Sequence, residues 1–186
     1  ITNIVKEITT NYDIDGIIFD DYFYPYGGTA NQDAKSQSQY FEAWSDAHPG
    51  KTVHDWRRDN VNRMIADVYH TIQATKPYVA FGVSPFGIWT TNTNVAEEEG
   101  IPLPSGISGG NMYQEIYCDP VAWLKEGTVD YLSPQLYWKI GGAQDYNKLC
   151  AWWTDLANRF GKQFYSSMAL YRYAENNSSN TGYYKN

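Results

Sequence analysis

Basic residues are scarce in this chain: 14 Lys and Arg stand against 21 Asp and Glu, a formal net charge of −7 over 186 residues. That balance excludes the basic footprint with which proteins grip nucleic-acid backbones. Two cations adjoin only at Arg57-Arg58. Cysteine is scarcer still: Cys118 and Cys150 are too few and too isolated for a disulfide framework or a zinc site. The three histidines, His48, His54 and His70, lack metal-ligand spacing and suit surface or core roles. No spacing calls for a metal or a cofactor. No apolar run approaches the length of a membrane span, and Ile1 does not open a secretion signal, so export cannot be read directly from these residues.

Aromatic residues, by contrast, are abundant. They make up 17% of the chain, with 17 Tyr and 7 Trp. A large aromatic core accounts for about half of them; several others follow directly after strand-like runs, where loops carry function. Four such runs recur, at residues 16–23, 78–88, 129–138 and 163–171, with helical patterns between them. Thr52-Val53-His54-Asp55 forms a capping box with Asp in the place of Glu or Gln. It opens a helix with apolar positions at Trp56, Val61, Met64, Ile65, Val68 and Ile72, and Pro77 marks its end. A shorter helix is expected within 33–47. Asp119-Pro120 starts another that Gly127 stops, and residues 146–160 form a fourth, stopped by Gly161. Trp152 and Trp153 on this last helix are expected in the core. Strand–helix alternation of this kind specifies an α/β fold with a parallel sheet. Segment 90–114 is too long for an idle connection and reads as a substrate-side loop, with Glu97-Glu98-Glu99 as solvated charge. The tail 175–186 is polar and expected to be loose.

The most informative stretch is Ile14-Asp15-Gly16-Ile17-Ile18-Phe19-Asp20-Asp21-Tyr22-Phe23-Tyr24-Pro25. It is a buried apolar strand ending in two carboxylates and a run of tyrosines. Side chains alternate along a strand, so Asp20 and Asp21 point to opposite sides. Acids at the C-terminal end of a barrel strand, with flat rings beside them, suit a carbohydrate-cleaving site.

These residues, together with Trp56-Arg57-Arg58-Asp59-Asn60-Val61-Asn62, resemble the glycosyl-hydrolase-like family ten, once a domain of unknown function. Phe81-Gly82-Val83-Ser84-Pro85-Phe86-Gly87-Ile88-Trp89 and Val129-Asp130-Tyr131-Leu132-Ser133-Pro134-Gln135-Leu136-Tyr137-Trp138 extend the match over nearly the whole chain. The resemblance implies a (β/α)₈ TIM barrel, mostly in bacterial, exported, cell-envelope proteins, and hence an extracytoplasmic location. The family includes enzymes that cut peptidoglycan strands stripped of their peptides. By the same resemblance, residues 15–23 are similar to the fourth barrel strand and 163–171 to the seventh. The chain is therefore expected to be a partial TIM barrel, strands four to seven with their helices, from a longer protein. Its outer strands would expose edges, and a homo-oligomer is expected to cover them.

The catalytic candidates are Asp20 and Asp21. Tyr22, Tyr24, Ser84, Trp89, Gln135, Tyr137 and Trp138 are candidates to bind a polysaccharide or oligosaccharide. Ser84 lacks the His and the Gly-x-Ser-x-Gly elbow of a nucleophile. Asp15 and Asp130 begin their strands, at the stability face of a barrel. Arg57 and Asn60, one helical turn apart, are expected to buttress the strand ends. No second cleft carboxylate is visible, so it would come from outside these strands or be replaced by the substrate's own acetamido group. The second possibility follows a fainter similarity to the family eighteen chitinases, with their Asp-Gly-x-Asp-x-Asp-x-Glu pattern. Asp15 and Asp20 match its first and last acids, Ile18 replaces the middle one, and Tyr22 stands where the Glu would be. A non-catalytic carbohydrate-binding module and a structural cell-surface module are the rival expectations.

Overall fold

The computed structural model describes residues 1–28 and 32–174. Its centre is a parallel sheet of four strands in the order β1-β2-β3-β4: Gly16–Phe19, Ala80–Val83, Tyr131–Leu132 and Gln163–Phe164. Each strand pairs with the next one in sequence. That order is the wall of a partial TIM barrel, whereas a doubly wound sheet reverses direction at a switch point.

Helices cover one face. α1 (Thr2–Asn11) precedes β1, and α2 (Ala34–Ala47) and α3 (Val53–Thr75) follow it. α4 (Thr93–Glu99), α5 (Met112–Glu115) and α6 (Pro120–Glu126) lie between β2 and β3, α7 (Tyr146–Arg159) precedes β4, and α8 (Leu170–Ala174) follows it. The starts and stops are chemical. Thr52 and Asp55 form the reciprocal capping box of α3, Asp119 caps α6 with Pro120 at its first position, and Asp145 caps α7. Gly127 ends α6 at φ 73°, a left-handed conformation that glycine adopts without strain.

The strands are short for a reason visible in the sequence. Pro85 and Pro134 follow Ser84 and Ser133 at the tops of β2 and β3, and proline has no N–H for the ladder. Both still accept: Gln135 N–H donates to the Pro85 carbonyl at 2.9 Å and Ser167 N–H to that of Pro134 at 3.0 Å. Pairing thus resumes as single bridges, Phe86 with Gln135 and Gln135 with Ser167.

Alternation divides the sheet. Ile17, Phe19, Phe81, Val83 and Leu132 turn toward the helices and pack with Ile65, Val68, Trp123 and Trp153 in one core. Ile18, Gly82, Tyr131 and Tyr165 turn the other way, and Ile18 and Tyr165 remain exposed. A Cβ on Gly82 would lie 2.2 Å from the Tyr131 ring, so this glycine is what lets that ring lie across β2. At the opposite end of the sheet the Asp130 carboxylate accepts the Phe81 N–H at 2.8 Å, a structural role.

Three expectations need correction. The segment 90–114 is not all loop: α4 and α5 stand within it, α4 capped by Asn92 and closed by Gly100 at φ 65°. Glu99, expected to be merely solvated, pairs with Lys125. The fourth strand-like run ends at Phe164, and Tyr171 falls in α8 because the chain turns helical at Leu170. α1 was not anticipated at all; it buries Val5 and Thr9 and leaves Ile1, Ile4 and Ile8 exposed. The expectation for the tail 175–186 lies outside the described residues.

The packing predicts a sharp contrast between two isoleucines. Ile65, with 0% exposure, should cost about 2–5 kcal/mol on truncation to Ala. Ile4→Ala, at 61% exposure, should stay within about 0.5 kcal/mol. Urea unfolding of the two variants beside the wild type checks both.

Candidate active site

The tops of β1, β2 and β3 converge on Asp20. Ile18, Asp20, Tyr22, Ser84, Gln135 and Tyr137 line a cleft of about 350 Å³ there. Asp20 is exposed, and its Oδ1 accepts the Gln135 side-chain N–H at 2.9 Å. The same amide nitrogen donates to the Ser84 carbonyl at 3.1 Å. Gln135 therefore ties three strand ends together through one side chain. Oδ1 also takes the Asp21 N–H at 2.8 Å, which leaves Oδ2 without a protein donor among the described residues. That oxygen is the one a bound molecule can engage.

Asp21 follows the end of β1, is 2% exposed, and keeps its carboxyl within hydrogen-bond reach of the Asp20 side chain. The Tyr26 hydroxyl donates to it. Burial raises its carboxyl above the ordinary range, the Tyr26 bond works against this, and the charge on Asp20 adds to it. Tyr26 is itself pushed up by burial and by that carboxylate. Asp21 is thus a buried anchor for the loop that follows β1: its carbonyl accepts the Phe23 N–H at 2.9 Å, and the Tyr26 ring sits between Tyr22 and Phe86.

The loop is fixed further out by a network centred on Arg57. Its guanidinium makes two bonds to Asp33, at 2.7 and 2.8 Å, and donates to the Tyr117 hydroxyl at 2.9 Å. Tyr117 packs edge-on against Tyr24 at 5.1 Å and stacks on His54. Arg57 is a buttress, as expected; Asn60 hydrogen-bonds the Tyr24 side chain and borders the hollows beside it.

The remaining candidates divide clearly. Tyr22, Ser84, Gln135 and Tyr137 meet in the cleft, and Tyr24 lies beside it in the next hollow along. Trp138 is half-buried against Phe86 and the core and is not among the residues that line the cleft. Trp89 does not reach the cleft. It is 1% exposed, stacked at 6.2 Å on Trp152, and its indole N–H is held by Asp119 at 3.0 Å. Once Pro85 breaks the ladder, strand alternation no longer tells which way residue 89 turns. Tyr26 was legible as one of a run of tyrosines, but its hold on Asp21 needed the loop's conformation. No group of His, Cys, Asp and Glu among the described residues could hold a metal ion.

Glycoside cleavage needs a carboxyl beside the scissile oxygen, and an exposed, clamped carboxylate flanked by tyrosines provides that one component. Comparison with known proteins identifies the family. The family model described as Glycosyl hydrolase-like 10 matches residues 1–185. The chain belongs to this family. It is 40% identical over 174 residues to Glycosyl hydrolase YngK of Bacillus subtilis, covering 92% of this chain and 32% of that protein. It is 37% identical over 177 residues to Glycosyl hydrolase DigH of Escherichia coli K12, covering 94% of this chain and 38% of the relative. The chain thus spans about a third of the length of the curated relatives it matches.

Behind the site, Asp119 sets a pH dependence. Burial pushes its carboxyl from 3.8 up to about 6, against the opposing bonds from Trp89 and the Ala122 N–H. The unfolded chain releases this proton first, so the folded state holds it more tightly. Its stabilising effect is complete below about pH 4 and is lost as the pH rises through about 6. Asparagine keeps an indole acceptor and a helix cap without titrating. The wild type should therefore lose stability relative to Asp119→Asn, on the order of 3 kcal/mol, between about pH 4 and about pH 7. Thermal melts at stepped pH measure it.

Proposed function

We propose that this chain carries part of the active site of a glycoside hydrolase for β-linked, N-acetylated glycan of the bacterial cell-wall type, working outside the cytoplasm. The observation that carries the reading is Asp20, an exposed carboxylate held by Gln135 in a cleft edged by Tyr22 and Tyr137. In this reading Asp20 acts at the reacting centre, with Oδ2 turned to the substrate. Tyr22 and Tyr137 offer ring faces and hydroxyls to the sugar, and Ser84 lies within the same hollow. Gln135 and Asp21 are positioning residues: one clamps the carboxylate, and the other locks the loop that carries it. Membership of the glycosyl hydrolase-like family and the printed names of the relatives support the same class of chemistry.

A second reading has one observation in its favour. Among the described residues lining this cleft, Asp20 is the sole carboxylate, whereas two-carboxylate cleavage needs a partner about 5–9.5 Å away. A module that binds glycan without cutting it needs no such partner.

The test is turnover of peptide-free peptidoglycan strands and chitin oligomers by the full-length protein that carries this chain. Asp20→Asn should lower kcat/KM by about 100-fold to 10,000-fold, the range for loss of a group that moves the proton. Asp21→Asn, which keeps an acceptor for Tyr26, should lose less. Binding by the wild type without cleavage would give the second reading the lead.

A further inference from the structure

α2 lies between β1 and α3 in the chain. It is 14 residues long, carries Tyr40, Phe41 and Trp44, and has no buried residue. Its aromatics are therefore not core residues. Between α2 and α3 lies a crevice of about 500 Å³, with Tyr24, Tyr40 and Trp44 on its walls beside Ser36, Asn60 and Arg63.

Its walls are held firmly. The Trp44 indole N–H donates to Asp59 at 2.7 Å, and its ring stacks with His48 at 4.2 Å and with Phe41 at 6.3 Å. Asp59 also pairs with Arg63 at 3.0 Å, and Arg63 donates to the Asn60 side-chain oxygen at 2.8 Å. Trp56, 3% exposed, closes the base. A fixed indole, an exposed tyrosine, an amide and a guanidinium combine flat apolar faces with a few oriented polar groups, the combination that a sugar ring presents in return.

The crevice and the cleft share no lining residue, but a neighbouring hollow borders both. Asp20 and Tyr22 border both the cleft and a neighbouring hollow of about 500 Å³. Tyr24 and Asn60 border both that hollow and the crevice. The middle hollow, lined also by Phe19, Phe23, Val61 and Met64, lies between the top of β1 and α3.

We propose that the α2–α3 crevice is a distal subsite for further sugar units of the same glycan whose scissile bond lies at Asp20. The inference rests on the proposed function and adds that the protein selects for chain length through Tyr40 and Trp44.

Length-graded, peptide-free peptidoglycan strands offered to the full-length protein test this. In Tyr40→Ala and Trp44→Ala the ratio of kcat/KM for long strands to that for short ones should fall about tenfold; that factor corresponds to about 1.4 kcal/mol. Trp44→Phe should keep most of the ratio. Because α2 buries no residue, these variants leave the core intact. An unchanged ratio in an active enzyme, with or without a lower melting temperature, overturns the subsite and leaves the hydrolase reading standing. If the wild type cuts no strand, the hydrolase reading fails, and titration with the same long strands decides the subsite. Weaker binding by both alanine variants then supports it, and equal or absent binding overturns it.

Discussion

Two prolines constrain the top of this sheet. Pro85 and Pro134 deprive β2 and β3 of ladder donors just where the strands reach their C-terminal ends. Gln135 makes good the loss twice. Its main chain donates to the Pro85 carbonyl, and its side-chain amide spans from the Ser84 carbonyl to Asp20 on β1. The residue that repairs the sheet is thus the residue that fixes the cleft carboxylate. Architecture and site share one residue, and the position of Asp20 depends on the register of three strands.

The contrast between Asp20 and Asp21 shows how one covalent step separates two roles. Both acids follow the same strand, yet one faces open space and the other lies 2% exposed under Tyr26. A buried acid with a hydroxyl donor and a charged neighbour can fix the loop from which Tyr22 and Tyr24 project. Burial, rather than residue type, assigns the work.

Much of this was legible because local chemistry marked it. Thr52 with Asp55, Asp119 with Pro120, and the glycines at 127 and 161 bounded helices whose apolar spacing already faced a core. The sequence was least legible where the chain leaves regular periods. α4 is polar and short, marked by Asn92 and Gly100 inside a segment whose composition reads as loop. α1 has an apolar stripe but no side-chain cap. Trp89 follows a proline that erases the strand's phase, and its burial beside Asp119 comes from packing among Trp152, Tyr113 and α6. Tyr40 and Trp44 carried a signal, two aromatics a helical turn apart, but that spacing fits a core face equally well. Only the absence of any buried residue on α2 distinguishes the two.

The lone carboxylate of the cleft bears on mechanism through geometry. A parallel barrel wall sends one inward side chain from each strand end, and here β2 and β3 send Ser84 and Gln135 where an acid could have stood. Neither is an ordinary acid or base at neutral pH. The Gln135 amide is already engaged with Asp20 and Ser84, so it steers the carboxylate and does not replace its missing partner. A second reacting group must then approach from the side of Asp20 that these strands leave open. In the reading proposed above, a residue outside the described cleft or the substrate's own acetamido oxygen would supply that group, with Asp20 acting on the substrate beside it.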